Sequence, residues 1–275
     1  DDHLDRHKSL ANYQEIKQKI YQQCEVIIVN RDDELTQVNK KLADKINNKA
    51  VAVHEEPDIL FGKVVNHLIS DGNLAPSMEF GVDKTANIHP TASISDKCKI
   101  GKYVKVGRHS IIDDYTILDD NVIIADNVVV GCDGFYFKRE KSGELVKFLH
   151  AGGVHLHKNV EVMTGSMIQR AHDASFTVVG EGTKISVNVN VGHSVSIGKH
   201  NMITGNVQIA GRAKIGDYCW IGTSSTISDS IEIGNNAEIK IGSIVIKNVK
   251  DNQAVSGNFA ISHSINVKNH IKAQR

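Results

Sequence analysis

His193 lies in the run Asn190-Val191-Gly192-His193-Ser194, and eighteen residues further on the chain reads Ile209-Ala210-Gly211. An imidazole with an ordinary pKa near 6.5 can take up a proton at neutral pH. A backbone N–H stacked over it can hold a developing oxyanion, and glycine at 211 leaves room for a reactant to approach the chain. Asn190 and Gln208 repeat the eighteen-residue offset and set two amides, both able to hydrogen-bond hydroxyl groups, beside the histidine. Each feature also has a plainer reading: a solvated histidine, a glycine needed only for a corner, and an amide ladder that merely steadies the chain.

The eighteen-residue offset has a physical origin. From Val179 to Val245 an aliphatic residue recurs at every sixth position, through Ile185, Val191, Ile197, Ile203, Ile209, Ile215, Ile221, Ile227, Ile233 and Ile239. The same spacing runs from Ile88 to Val130 and, briefly, through Leu156, Val162 and Ile168. A small or β-branched residue stands two places before most of these positions, as at Val189, Val195, Val207 and Ala213. A helical stripe recurs every three or four residues, so this is no helix. Six residues suit one short strand and one corner, so three units close a triangular coil of eighteen residues, and parallel strands stack about 4.8 Å apart. Such a solenoid buries its apolar face only by stacking coil on coil. His193, two places beyond the inward Val191, faces outward.

The repeat fails between Gly131 and Gly153 and slips again from Arg170 to Phe176. The first break carries Asp133, Phe135, Tyr136 and Phe137, followed by a charged run that reads as a loop tip. Loops on a rigid scaffold often carry binding work, so these aromatics are candidates to stack on a sugar or a base; equally, they could pin the loop to its own coil. His155 and His157 share a strand face, but with no third ligand evident they read as solvated histidines, and no metal is expected. Lys240, Lys247 and Lys250 read as a solvated end of the stack.

Residues 1–80 read as a small α/β domain, with helical stripes at Leu10 to Ile20 and Leu35 to Ile46, strands at Val26 to Val29 and Ala50 to Val53, and a helix from Pro57 to about Ile69. The solenoid is expected over 86–250 with its insertion at 131–153, and residues 251–275 read as a tail with a short capping helix within 261–273. Lys plus Arg and Asp plus Glu balance at 32 each, which argues against a nucleic-acid partner. Cys24, Cys98, Cys132 and Cys219 form no close pairs, as in a reduced, cytoplasmic protein. No signal-peptide pattern and no apolar run of membrane-spanning length stand out.

Several landmarks resemble the left-handed parallel β-helix acyltransferases, and among them the UDP-3-O-acylglucosamine N-acyltransferase family. They are Gly131-Cys-Asp-Gly-Phe-Tyr-Phe137, Gly152-Gly-Val154, Ile168-Gln-Arg170, Asn190-Val-Gly-His-Ser194 and Ile209-Ala-Gly211. The resemblance implies a mainly β chain, a left-handed parallel β-helix with a small N-terminal α/β domain, and a homotrimer with sites between neighbouring prisms. It implies that His193 is the general base for acyl transfer to an amine and that Gly211 steadies the oxyanion. The chain departs from the pattern at Ser186, where a carboxylate-bearing run is expected, and at Ser230, where a second histidine is expected. With a shortened tail, these departures favour a nucleotide-linked amino sugar acylated from soluble acyl-CoA, in cell-surface polysaccharide synthesis, with no bound cofactor. The alternatives are the lipid A enzyme drawing on acyl carrier protein, and a non-catalytic structural β-helix.

Overall fold

The structure, a computed structural model, describes residues 26–30, 50–257, 262, 263, 265 and 272. The two stripes expected before Ile46 lie outside the described residues, as do Cys24 and most of the tail helix expected within 261–273. The chain divides into two compact units, residues 1–71 with 136–148, and residues 72–135 with 149–275.

In the first unit β1 (Val26–Asn30) and β2 (Ala50–His54) pair in parallel, Val26 opposite Ala50. Helix α1 (Pro57–Ser70) follows, with proline in the first turn, where its missing N–H has no intrahelical partner to lose, and Asp58 beside it. Asp71 N–H closes the helix on His67 O at 2.9 Å. Residues 137–139 and 145–147 form an antiparallel hairpin that belongs to this unit. Its flanking Tyr136 and Phe148 meet edge to face at 4.8 Å, while Lys63–Glu140 and Lys138–Asp58 ion pairs tie it to α1. Glycine inside a helix costs about 1 kcal/mol relative to alanine, yet Gly62 is required here. A Cβ on it would stand 2.1 Å from Phe148 Cζ.

The second unit is the left-handed parallel β-helix. Three parallel sheets of nine, eight and eight strands form its sides, and successive coils contribute one strand to each. Asn190 pairs with Gln208 and Val191 with Ile209, which is the eighteen-residue rule in register. The aliphatic positions and their small companions fill the prism, with Val191 fully buried and Val189 nearly so. A polar companion is accommodated by bonding to the chain: Asn201, fully buried, donates to Gly216 O at 2.9 Å and accepts from Cys219 N–H at 2.6 Å. The first described strand is Gly81–Val82, earlier than the expected start at 86, and the last is Ala254–Val255, beyond the expected end at 250.

The corners turn through a residue in the left-handed region three places after the aliphatic one, as at Asn188, Ser194, His200, Asn206 and Arg212. The glycines that directly follow the aliphatic positions serve another purpose. A Cβ on Gly192 would lie 2.7 Å from Gly211 N, and one on Gly198 would lie 2.2 Å from Asp217 Oδ1. They give clearance between coils.

Both interruptions leave the stacking intact. Leu156 pairs with Leu118, 38 residues back, and with Val179, 23 residues on, where a regular coil needs eighteen. Twenty extra residues therefore enter between Val130 and Leu156, and five between Ile168 and Val179. The two insertions occupy successive coils at the same corner of the prism. The next coil bears His193 at that corner.

Candidate active site

Because the insertions share an edge with His193, each brings a histidine to it. His150 closes the first insertion and His172 lies in the second. The ring centroids stand 5.1 Å apart for His150 and His172, 5.7 Å for His150 and His193, and 5.2 Å for His172 and His193, the last pair stacked at 30°. The eighteen-residue ruler did not find His150 or His172, since neither obeys it.

His193 faces outward as expected, with its Nε2 edge over Gly211. A Cβ at 211 would lie 2.5 Å from His193 Nε2 and 2.6 Å from Cε1. Gly211 shares the corner with Arg212, but the left-handed residue there is Arg212, with φ 61°, so the turn does not require glycine at 211. The Gly211 N–H bonds to no acceptor among the described residues, while its carbonyl accepts from Ser230 N–H at 3.0 Å. That leaves this amide free to donate a hydrogen bond.

Burial governs the electrostatics. It pushes the His150 imidazole down to about 4. Burial also lowers His172 and His193; for His193 the nearby His172 and Arg212 act in the same direction and Asp229 opposes them. All three rings are neutral at pH 7, so His193 is able to accept a proton. Its Nδ1 is buried and meets no hydrogen-bond partner among the described residues. Ser186 supplies no carboxylate and uses its carbonyl to accept from Ser166 Oγ at 2.6 Å. Ser230 bonds Asp229, which also receives Arg212 Nη2 at 3.1 Å. Asp229 follows His193 and Gly211 in the eighteen-residue column, so an arginine–carboxylate pair stands beside Ser230, the position where a second histidine was expected.

The other expected residues divide. Asn190 accepts from Gln169 Nε2 at 3.4 Å and adjoins Gln208 across the strand pair, so the amide ladder gains Gln169 as a third rung. Asp133 lies 3.7 Å from Arg170 Nε, which donates to Gly131 O at 2.5 Å. Between Asp133 and Phe135 sits Gly134, where a Cβ would meet Gln169 Oε1 at 2.7 Å, His150 Nε2 at 3.0 Å and His193 Cδ2 at 3.4 Å. The first insertion thus touches the imidazoles through Gly134, a residue whose sequence signal was only its place in the loop. Phe135 is 86% exposed. Tyr136 and Phe137 belong to the hairpin of the other compact unit, Tyr136 packed on Phe148 and Phe137 paired with Lys147.

A third group does join His155 and His157. Asp119 Oδ2 stands 3.2 Å from His155 Nε2 and 3.1 Å from His157 Nδ1. The expectation that no third ligand accompanies these histidines is corrected. The ruler pointed from His157 to Arg139, but the twenty-residue insertion moved the true neighbour to 119.

Residues 1–74 match the family model of the Mur ligase middle domain, a family other than the one the repeats resemble. Over 34 residues the chain is 65% identical to UDP-N-acetylmuramoylalanine–D-glutamate ligase of Colwellia psychrerythraea, covering 12% of this chain and 7% of that one. It is 42% identical over 74 residues to UDP-3-O-acylglucosamine N-acyltransferase 1 of Legionella pneumophila, covering 27% of this chain and 20% of the relative. The chain thus matches about a fifth of that relative's length. UDP-N-acetylglucosamine acyltransferase of Campylobacter jejuni shares the fold, with a TM-score of 0.52, 18% identity, and coverage of 65% of this chain and 72% of that one. The chain resembles the hexapeptide-repeat acyltransferases in sequence and in its left-handed β-helix.

Proposed function

We propose that this chain is an N-acyltransferase that moves an acyl group from a thioester to the amine of a nucleotide-linked amino sugar. The observation that carries the reading is the neutral imidazole of His193 set against the uncommitted Gly211 amide, at the corner where both insertions converge. The amine nitrogen attacks the thioester carbonyl and the new C–N bond forms. His193 takes the proton the amine loses, and the oxyanion is held by Gly211 N–H. Collapse of the tetrahedral adduct breaks the C–S bond, and the leaving thiolate receives the proton from His193. Asn190, Gln208 and Gln169 offer amides to sugar hydroxyls, and Asp133 and the exposed Phe135 flank Gly134 at the mouth of the site. UDP is the favoured nucleotide in this reading, because these relatives are named for UDP-linked amino sugars.

The donor is acyl-CoA in this reading, with acyl carrier protein as the alternative. A homotrimer is supported by apolar side chains on the flat faces, Met202 against Trp220 on adjacent strands and Ile244 on another face, all substantially exposed. A cytoplasmic setting is supported by free thiols at Cys98, Cys132 and Cys219. No described helix is long and apolar enough to cross a membrane.

The test is thiol release from a panel of acyl-CoA and acyl carrier protein donors with UDP- and dTDP-amino sugars, comparing the native chain with His193→Ala. Turnover that falls by about 10²-fold or more in a variant with native circular dichroism supports the assignment. Full activity in that variant would remove His193 from the chemistry.

A further inference from the structure

We infer that Asp119, His155 and His157 bind a divalent first-row transition ion of the zinc class, at the opposite end of strand Gly153–Leu156 from the His193 corner. The three side chains come from adjacent coils: Asp119 N–H bonds Leu156 O at 2.9 Å, and His155, on the next strand, and His157, just past its end, have ring centroids 4.0 Å apart. One ligand atom from each lies within 4.8 Å of the other two.

The distances suit a shared ion. In a tetrahedral site with metal–ligand bonds of about 2.0 to 2.1 Å, ligand atoms stand roughly 3.3 Å from one another. Asp119 Oδ2 lies 3.2 Å from His155 Nε2 and 3.1 Å from His157 Nδ1. A second observation concerns direction. His155 Nε2 is buried and close to the carboxylate, yet it is not in hydrogen-bonding geometry with it or with any other described group. In the tautomer protonated at Nδ1, its lone pair is open to an ion between the three groups.

Two imidazoles and a carboxylate select zinc, cobalt or nickel over magnesium or calcium, which prefer all-oxygen shells. Three protein ligands leave one position for water. An ion held this way would staple two adjacent coils at the corner that follows strand Gly153–Leu156.

The experiment is equilibrium dialysis of the full chain, stripped with chelator, against Zn²⁺, with Co²⁺ as a spectroscopic probe. The native chain should bind one Zn²⁺ that is weakened at least about tenfold in both Asp119→Asn and His157→Asn. Co²⁺ should give tetrahedral d–d bands that both variants lose, and Zn²⁺ should raise the thermal midpoint of the native chain only. His172→Asn should bind Zn²⁺ as the native chain does. Absence of binding, binding unchanged in both site variants, or binding lost in His172→Asn would each overturn the assignment. Circular dichroism confirms the fold, and two independent variants keep the result decisive if one misfolds.

Discussion

The imidazole of His193 occupies the space that a side chain at 211 would take. A Cβ on Gly211 would stand 2.5 Å from Nε2, far inside contact distance. Gly211→Ala should therefore push the ring from its place while leaving the corner intact, because Gly211 does not occupy the left-handed region. A displacement near 1 Å can cost about 10²-fold in rate. The expected outcome is a fall in kcat of that order, with circular dichroism and thermal midpoint close to native. A lost fold would instead mean that the coil itself depends on glycine at this position.

His172 stacks on His193 and shares its burial, and both features depress the His193 pKa. His172→Ala should admit water and remove a neighbouring cation at low pH. The His193 pKa then rises towards its ordinary value, and the acid limb of kcat/KM moves to higher pH. A limb that stays in place or moves to lower pH would contradict the coupling. The measurement is a pH–rate profile of both proteins at constant ionic strength.

The eighteen-residue period made the fold and the His193–Gly211 pair legible, because both are statements about residues one coil apart. The same ruler could not index His150, His172 or Asp119. The first two lie within the residues that the period omits. Asp119 is separated from its histidines by a coil twenty residues too long. Gly211 was anticipated for the right position, but its clearance for an imidazole is a steric fact that spacing does not contain. The Mur ligase likeness of residues 1–74 was not read from their helical and strand patterning, since that pattern is common to many α/β units.

Acid should destabilise the protein earlier than its carboxylates alone would. His150 has a folded pKa near 4, below its unfolded value of about 6.5. As pH falls through 6.5 the unfolded chain gains a proton that the folded chain refuses, so stability is lost progressively down to about pH 4. The full effect for His150 is on the order of 3 kcal/mol, and the lowered His155, His172 and His193 act in the same direction. Urea unfolding across this window should show stability falling with pH, with a shallower slope in His150→Gln. An equal slope in both proteins would show that this ring is not the source.

Ser224 is an exposed corner residue held at φ 58°. The left-handed region costs an ordinary L-residue about 1 to 2 kcal/mol, while glycine adds about 0.4 to 1 kcal/mol of unfolded-state entropy. Ser224→Gly should therefore stabilise the β-helix by roughly 0.5 to 1 kcal/mol. A rise in thermal midpoint checks it. A fall would show that corner strain is relieved by contacts of the side chain.

Twenty residues enter the prism at one corner and five at the same corner of the next coil, yet Leu118, Leu156 and Val179 remain in one column. The entropy of closing such a loop grows only slowly, about 0.6 kcal/mol for each doubling of length. That edge therefore works as a splice site. The length inserted there can change without retuning the frame, so the segments that carry Gly134, His150 and His172 to His193 can vary while the coils stay in register.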